Sequence, residues 1–541
     1  MLKYTFYAFL RTRVAPSSHP LNLDQYSLIF YIDDFLLKRP IRRRFNQRKG
    51  FMSPSNTLSD PPDPREICLA LNERTPVGGL FEGDRTHLHP NSNLPWRISP
   101  EPFWLSADQL QELRDLGTAL HQFYRAANLL YHQSVKGLQP AWVHQYLDRG
   151  KTGDVLEMGL WNRIKSHLPL VMRPDLLMTE DGFRIMEMDS IPGGMGFTAQ
   201  VSSLYADLGY DIIGGPRGLV DGFYEAIAAA TSAERPTVGL VVSDESDAYR
   251  DEMQWLADEL SAQGQPTHCV HPRDLHFDEN GLSVIIDGQK QRLEAVYRFF
   301  ELFDLKNIPK AELITYFAKK NAVRLTPPPK AYLEEKMWLA LFHHPLLTPF
   351  WRRELARDVY KQLISLIPRT WILDARALPP HAVVPDLTLN DGPVNDWQVL
   401  KGLSKKQREL VVKPSGFSEL AYESKGVSIG HDLPEETWSA NVQTALDSFD
   451  DTPYILQRFH KSARKTVRYY DFFDDTVKPM RGRVLLRPYY YLTGDQPRLS
   501  GIQAVVCPPD KKVLHGMIDA VIAPCAVSDD ANAEDVFKES L

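Results

Sequence analysis

The hydrophobic positions in the first half of the chain follow a helical period over long stretches. "SADQLQELRDLGTALHQFYRAANLLYHQ" places apolar residues three and four apart, and it opens with Ser106 and Gln109 in the spacing of a capping box. A similar period runs through residues 139–171 and returns in "TAQVSSLYADLGYD", which starts at Thr198. These segments are predicted to be helices.

Between the second and third of these segments the pattern changes to that of a β-hairpin. "RPDLLMTEDGFRIMEMDSIPGG" reads as a strand, a tight turn at residues 180–182, a second strand and a glycine-rich loop. On the second strand Glu187 and Asp189 are two residues apart, so their side chains point to the same face. Two acids in this arrangement belong either to a solvated strand edge or to a site.

A second kind of pattern begins near residue 234. "PTVGLVVSD" is a short apolar run typical of a buried parallel strand, and "YRDEMQWLADELSAQG" is an amphipathic helix that ends at a glycine. "PTHCVHP", "LSVIIDGQ" and "AVYRFF" are predicted to be further strands. Residues 234–325 therefore have the size of an inserted small α/β domain with a parallel sheet. The first strand leads into no G-x-G-x-x-G loop, so Rossmann-type dinucleotide binding is not indicated.

The last part of the chain alternates strands with loops. A helix in "TPPPKAYLEEKMWLALFHH" and a strand in "RTWIL" are followed by "ALPPHAVVPDLTLNDGPVND", which is predicted to be a loop or linker. "LVVKPSGFSELAYESKGVSIG" reads as strand, Gly/Ser-rich loop and strand, and "YILQRFH" as another strand. "GRVLLRPYYYLTG", "LSGIQAVVCP" and "LHGMIDAVIAPC" complete an antiparallel set. The predicted divisions are a basic extension 1–64, an N-terminal part 65–233, the insert 234–325, an ATP-binding part 326–527 and an acidic disordered tail 528–541.

Composition and charge exclude several classes of protein. The chain has 541 residues, 43% hydrophobic and 24% charged, as in ordinary globular proteins, and no C-x-x-C pair among its four cysteines. No apolar run of about 18 residues exists, so neither a membrane span nor a membrane partner is predicted, and a reducing, cytoplasmic location is expected. Residues 1–51 carry ten Lys and Arg against three Asp. This basic run is compatible with a nucleic-acid-binding arm. We favour the interpretation that residues 1–51 are an upstream extension from a misassigned start, with the protein itself beginning at Met52. No nucleic-acid partner is then expected.

Candidate chemistry lies in the second half of the chain. Lys413 ends an apolar strand before a Ser/Gly loop that contains Ser415 and Gly416, and this arrangement suits phosphate binding, because a lysine neutralises phosphate oxygens and loop amides can cradle them. The strand at Gln457, Arg458 and Phe459 could lie along an adenine ring, or could be a plain core strand. Lys336 stands on an apolar helix, where a lysine either snorkels to solvent or reaches a phosphate.

The order of these segments resembles the ATP-grasp superfamily, over roughly residues 100–525. An ordinary member carries magnesium-binding acids on its last strands, whereas "GRVLLRPYYY" and "GIQAVVCP" carry none. The chain is most similar to the permuted branch of eukaryotic-type glutathione synthetase and glutathionylspermidine synthetase, in which an early strand supplies a Glu-x-Asn pair. "EMDSIPGG" resembles that strand, with Asp189 in place of Asn. The implied fold is α/β (α+β), an ATP-grasp-like core with permuted strand order and the inserted parallel-sheet domain.

This resemblance implies a set of site residues. Glu187, Asp189 and a third acid in the Gly/Ser loop, either Glu419 or Glu423, would hold Mg²⁺. The implied ATP-binding residues are Lys336, Lys413, Ser415, Gly416, Gln457, Arg458 and Phe459. Substrate would lie on Ser190, Gly193 and Gly194. Arg298 would contact a substrate carboxylate, and Arg487 or Arg483 would stabilise the transferring phosphoryl group.

The implied activity is an ATP- and Mg²⁺-dependent carboxylate–amine ligation that forms an amide through an acyl phosphate. The partners are a small-molecule carboxylate and an amine, and a homodimer is compatible with the resemblance. The alternative is a catalytically degenerate ATP-grasp protein that binds nucleotide as a scaffold. Turnover of ATP separates the two hypotheses.

Overall fold

The structure is a computed structural model that describes residues 63–75, 89–389, 392–421, 425–515 and 519–528. The predicted basic extension and acidic tail lie almost wholly outside these ranges, and so does Glu423. Residues Pro61–Leu541 form one compact unit. Its described part is a mixed α/β structure with several sheets, which confirms the α/β class.

The helical pattern of the first half is largely confirmed. Helix α2 begins at the predicted capping box, in which Ser106 and Gln109 bond each other's backbone amides. The expectation for residues 139–171 is only partly right, because helical structure ends at a 3₁₀ turn over Asn162–Ile164 and Pro169 favours extended backbone before β2. The α-helices are α1 (Pro64–Arg74), α2 (Ala107–Val135), α3 (Trp142–Leu147), α4 (Gly153–Gly159), α5 (Met195–Asp207), α6 (Gly218–Ala229), α7 (Arg250–Ala262), α8 (Ala311–Lys319), α9 (Met337–His343), α10 (Thr348–Glu354), α11 (Arg357–Leu366) and α12 (Glu435–Asp447).

Each run predicted to be a strand contains one, and seven further strands among the described residues were not predicted, two of them in the segment predicted to be a loop or linker. The strands are β1 (Phe103–Leu105), β2 (Val171–Thr179), β3 (Gly182–Asp189), β4 (Val238–Val242), β5 (Thr267–Val270), β6 (His276–Asp278), β7 (Gly281–Ile286), β8 (Gln289–Arg292), β9 (Ala295–Phe299), β10 (Arg324–Thr326), β11 (Thr370–Ile372), β12 (Thr388–Leu389), β13 (Gly392–Pro393), β14 (Leu410–Pro414), β15 (Ser428–Ile429), β16 (Tyr454–Arg458), β17 (Arg464–Asp471), β18 (Thr476–Thr493), β19 (Gln496–Cys507) and β20 (Val521–Val527).

The largest sheet joins the two ends of the chain. Its strand order is β1-β20-β19-β18-β2-β3, and β17 also pairs with β18. The predicted hairpin β2–β3 is antiparallel and lies beside β18, which follows it by nearly 300 residues. Helices α2, α5 and α6 pack on this sheet around a core that includes Tyr489, Tyr490 and Tyr491. The early acidic strand and the late strands therefore belong to one sheet.

The predicted insert contains the expected parallel sheet, in the order β10-β9-β4-β5. "LSVIIDGQ" does not join it. Instead β7 pairs with β6 and β8 in a separate antiparallel sheet, because Asp287 and Gly288 form a two-residue hairpin turn with φ of 50° and 75°. The Asp-Gly pair in the sequence is the signal for this hairpin.

A further sheet, in the order β11-β16-β14-β15, carries Lys413 near the end of β14. The segment predicted to be a loop or linker packs behind this sheet, with Val384, Leu387 and Val394 in a buried cluster that also contains Trp438. Its described residues include the antiparallel pair β12 and β13, and they form part of the core. Within the described residues, no helix has the length and apolarity needed to cross a membrane.

Candidate nucleotide site

Four charged side chains project from one face of the β2–β3 hairpin. Arg173 lies opposite Asp189, and Asp175 lies opposite Glu187, so alternate residues of both strands share a face. Sequence analysis identified the two acids of β3 but missed the Arg and Asp of β2. The alternation in "RPD" is the signal that could have found them, because it has the same period as "EMD".

Arg173 holds this charged face together. Its Nη2 lies 3.1 Å from Asp175 Oδ1 and 3.1 Å from Asp189 Oδ2, and its Nη1 donates to the Gly193 carbonyl at 3.0 Å. Burial opposes its charge, but the two carboxylates outweigh burial and raise the pKa of Arg173. Burial raises the pKa of Asp189, partly offset by Arg173 and by the Ile191 amide. At Asp175 burial is outweighed by Arg487 and Arg173, which lower its pKa.

Both predicted phosphate-binding lysines lie beside Glu187. The Lys336 ammonium is 3.2 Å from Glu187 Oε1 and donates to the Ala421 carbonyl at 3.3 Å. Lys413 donates to the Met186 carbonyl at 3.1 Å and to Gln457 Oε1 at 3.0 Å. Burial lowers the pKa of Lys413 to about 8, with Lys336 acting in the same direction and Glu187 against it. The hairpin acids and the lysines of the second half therefore meet in one place.

A small cleft, with a cavity volume of about 110 Å³, opens from this meeting point. Its charged end is formed by Asp175, Glu187 and Lys413, which are the groups that could hold phosphates and their counter-ion. Most of the other lining residues are apolar, and the remainder include cationic and aromatic groups. The other lining residues are Leu177, Met186, Val411, Val427, Ile429, Phe459, His460, Ser462, Arg483, Leu485, Lys512, Val513 and Leu514.

The predicted adenine strand contributes a wall of this cleft rather than free amides. The side chain of Gln457 is buried between Lys413 and Thr370. The amide of Arg458 donates to the Arg369 carbonyl at 2.8 Å, and that of Phe459 to the Glu409 carbonyl at 3.0 Å. These two amides are therefore already bonded to neighbouring backbone, and contact of this segment with an adenine ring stays a prediction. The Phe459 residue does line the cleft.

The Ser/Gly loop after Lys413 is docked onto the chain before α9. The Ser415 hydroxyl bonds the Glu335 carboxylate and accepts the Met337 amide at 3.1 Å. A Cβ at Gly416 would lie 2.3 Å from the Glu334 carbonyl oxygen, so only glycine fits this approach. Ser415 is 1% exposed. Ser415 and Gly416 therefore fix the start of the loop, and in this arrangement the Ser415 hydroxyl is not presented to a ligand.

The glycine loop after Asp189 is used in a similar way. Gly194 and Gly196 donate their amides to the two carboxylate oxygens of Glu252, at 2.9 and 3.1 Å. A Cβ on Gly193 would lie 2.2 Å from the ring of Tyr249. The close approach that these glycines permit is thus taken by side chains of the predicted insert, not by a substrate, and Ser190 is buried. Burial raises the pKa of Glu252 to about 7, against the amide hydrogen bonds.

The arginines differ in what they can reach. Arg298 is fully buried, donates to the Phe300 carbonyl at 2.7 Å and pairs with Glu334. Direct contact of Arg298 with a substrate carboxylate is therefore not supported. Arg487 lies 3.3 Å from Asp175 Oδ2, on the charged face. Arg483 lines the cleft and donates its Nε to the Pro509 carbonyl at 2.9 Å.

The arrangement of these acids suits a magnesium ion that is coordinated jointly by carboxylates and by the phosphates of a nucleotide. It suits less well a magnesium ion that is coordinated by protein ligands alone. Glu187 and Asp189 offer the hard oxygen donors that Mg²⁺ prefers, and Mg²⁺ commonly takes one or two carboxylates together with substrate phosphates. Glu419 is exposed in a 3₁₀ turn. Across the described ranges, no group of three His, Cys, Asp or Glu is arranged to hold a metal. With Glu419 as its third member, the three-acid set is not assembled among the described residues.

Sequence analysis missed a group of further acids near Lys336, of which Glu335 is buried and the other two are partly buried. Glu334 and Glu335 precede Lys336, and Glu301 follows β9. Burial, together with the Glu334 carboxylate, raises the pKa of Glu301 to about 8. Glu335 pairs with Lys151 where both side chains are almost fully excluded from solvent. No apolar pattern in "LEEK" predicts the burial of Glu335.

Comparisons with known proteins give similarity to solved structures only. No protein-family model matches the sequence, and a search of curated proteins finds no match. One similar structure is a glutathione synthetase-like effector from Globodera pallida in its apo form, with a TM-score of 0.49 and 11% identity over 86% of this chain and 95% of that one. Another is a protein provisionally named γ-glutamylcysteine synthetase from Methylobacillus flagellatus, with a TM-score of 0.37 and 12% identity over 78% of this chain and 89% of that one.

Proposed function

We propose that this protein is an ATP- and Mg²⁺-dependent carboxylate–amine ligase with an ATP-grasp-like nucleotide site. One observation carries the proposal: Lys336 and Lys413, from two separate segments, converge on Glu187 at the charged end of the cleft. Two lysines around a half-buried carboxylate suit a polyphosphate with its bound cation, because the lysines neutralise oxygens and the carboxylate holds the cation.

The cleft suggests how the nucleotide would lie. Its triphosphate would occupy the end with Lys413 and Glu187, and its base would lie among the apolar residues beyond, against Phe459. The amides that would read the base lie after β16, since those of Arg458 and Phe459 are bonded within the sheet. His460 is the next residue and lines the cleft.

Magnesium would enter with the phosphates and would supply neutralisation of the charge that develops on them. Glu187 and Asp189 would contact it. In the present arrangement Lys336 neutralises Glu187, and Arg173 neutralises Asp189. When the nucleotide binds, the Lys336 ammonium would turn from the carboxylate to a phosphate oxygen. These cationic partners hold the two acids in place before the ligand arrives.

The reaction would need no nucleophile from the protein. A substrate carboxylate oxygen attacks the γ-phosphorus, the bond to the β-phosphate oxygen breaks, and an acyl phosphate and ADP result. An amine then attacks the acyl carbon and loses a proton, and inorganic phosphate leaves as the amide forms. The protein contributes position and charge neutralisation. Arg487, on the charged face beside Asp175, is the guanidinium best situated to approach the transferring group.

The test is ADP release by the purified full chain with Mg²⁺ and ATP, screened against amino acids, small peptides and polyamines. The variant Glu187→Gln/Asp189→Asn is expected to abolish turnover while its circular dichroism spectrum stays that of the wild type. Turnover that needs both a carboxylate and an amine supports ligation. ATP consumption that is unchanged in the double variant would remove the two acids from the mechanism.

A nucleotide-binding scaffold without turnover is the second candidate, and one observation favours it. Glu187 and Asp189 each already have a cationic partner, and within the described residues no group of three acids is arranged to hold a metal. Such a protein would bind Mg²⁺–ATP with an affinity that depends on Lys413, yet would release no ADP with any carboxylate and amine. Measuring binding and turnover on the same preparation distinguishes the two functions.

A further inference from the structure

A buried hydrogen-bonded cluster links the two lysines of the site behind the cleft. Glu335 immediately precedes Lys336, and Ser415 follows Lys413 by two residues. The Ser415 hydroxyl donates to Glu335 Oε2 and accepts the Met337 amide at 3.1 Å. Glu335 Oε1 forms an ion pair with Lys151, so both of its oxygens have partners.

This cluster is expensive to bury and is nevertheless complete. The Glu335 and Lys151 side chains are 1% and 0% exposed, and a buried ion pair commonly gives little net stability over apolar residues of the same size. Every oxygen of the cluster is bonded, so its geometry is well defined. A costly but fully satisfied network suggests a requirement for geometry rather than for stability.

The cluster is positioned to set the distance between the Lys336 and Lys413 ammonium groups. It ties the chain at 413–416 to the chain at 335–337. These two segments carry the ammonium groups of Lys336, which pairs with Glu187, and of Lys413, which interacts electrostatically with the same carboxylate. Gly416 packs against the Glu334 carbonyl at the same junction, which leaves no room for a shift between the segments. Neither Glu335 nor Ser415 lines the cleft.

We propose that Glu335 is a positioning residue that fixes, through Ser415, the spacing of Lys336 and Lys413, with Lys151 as its counter-ion. Glu335 touches no nucleotide and acts only through the two lysines. The inference rests on the proposed function in that it takes these lysines to bind phosphates. The spacing itself is a property of the ligand-free protein.

The experiment compares Ser415→Ala and Glu335→Gln with the wild-type full chain in two measurements. The first is the Kd of Mg²⁺–AMP-PNP by isothermal titration calorimetry, which is expected to rise about tenfold in both variants, the scale of one hydrogen bond to a charged group. The matched control is Glu101→Gln, which breaks the partly buried pair with Arg468. It is expected to lower the melting temperature without changing this Kd.

The second measurement needs no nucleotide. Acetylation rates of individual lysines by acetic anhydride are followed by mass spectrometry, and Lys336 and Lys413 are expected to react several-fold faster in both variants than in the wild type or the Glu101→Gln control. Unchanged Kd and unchanged labelling would overturn the positioning role. If the wild type binds no AMP-PNP, the ligase proposal fails, and the labelling alone then decides the inference.

A double variant distinguishes a positioning role of Glu335 from a role in stability alone. The double variant Lys151→Met/Glu335→Gln removes both buried charges, so its melting temperature should recover toward that of the wild type. Its Kd and the labelling of the two lysines should stay altered, because the bond from Ser415 to an ionised carboxylate is still missing. Recovery of both quantities together with the melting temperature would show that Glu335 only stabilises the fold.

Discussion

Replacing Glu252 by Gln is expected to change how the stability of the protein depends on pH. Glu252 is buried, and its carboxylate accepts the amides of Gly194 and Gly196 at the start of α5. Arg173, Tyr297, Tyr489 and Tyr491 are the other ionisable groups that interact with it. Burial raises its pKa to about 7 from an ordinary value of 4.5, although the amides favour the ionised form.

The sign of the effect follows from which state holds the proton. Between pH 4.5 and about 7 the folded protein keeps the Glu252 proton while the unfolded chain has lost it, so folding takes up a proton. The stabilising contribution is complete below pH 4.5 and is lost as the pH rises through about 7. A shift of this size corresponds to about 3 kcal/mol, which for a unit of this length is about 3 °C in melting temperature.

The assay is thermal unfolding of the wild type and of Glu252→Gln at a series of pH values. The melting temperature of the wild type, relative to the variant, is expected to fall by about 3 °C between about pH 5 and pH 8. Glu259→Gln, on the exposed side of the same helix, serves as the control and should show no such fall. A difference that is flat or rises with pH would mean that the amide hydrogen bonds outweigh burial.

Three further predictions concern the cleft. Because burial lowers the pKa of Lys413 to about 8, the affinity for AMP-PNP, measured by calorimetry, should weaken above pH 8 by up to about tenfold per pH unit. Lys413→Met should remove this pH dependence and lower turnover about 100-fold. Glu187→Gln/Asp189→Asn should lose ADP release but keep measurable AMP-PNP binding through the lysines. Its circular dichroism spectrum should match that of the wild type, and loss of AMP-PNP binding in the folded variant would contradict binding by the lysines. Arg487→Gln should lower kcat more than it changes the KM for ATP, whereas Arg483→Gln, which alters the cleft wall, should mainly raise that KM; the reverse pattern in steady-state kinetics would exchange their roles.

Local patterns in the sequence predict much of the secondary structure. The capping box at Ser106, the β2–β3 hairpin and the parallel strand β4 are local features, since each depends on residues a few positions apart. The strand β7 shows the limit of an apolar run, which does not reveal its sheet. The Asp287-Gly288 turn, which is visible in the sequence, pairs β7 with β8.

The site is only partly predictable, because its contacts join distant segments. The resemblance brought Glu187 together with Lys336 and Lys413, and the structure places Lys336 beside Glu187 and Lys413 close to it. No local pattern predicts that Lys151 pairs with Glu335, 184 residues later. The glycine loop illustrates the same limit. Its glycines signal close approach, but only the structure identifies Glu252 and Tyr249 as the approaching groups.

The central claim is that the cleft uses ATP to join a carboxylate to an amine. The most direct measurement supplies an ¹⁸O-labelled carboxylate substrate from the ADP-release screen, with Mg²⁺, ATP and the amine, and follows the label by mass spectrometry. The proposed mechanism predicts one ¹⁸O in each inorganic phosphate released, in step with ADP and amide, and loss of all three products in Lys413→Met. Phosphate that carries no label, or ADP release that is independent of the carboxylate, would contradict it.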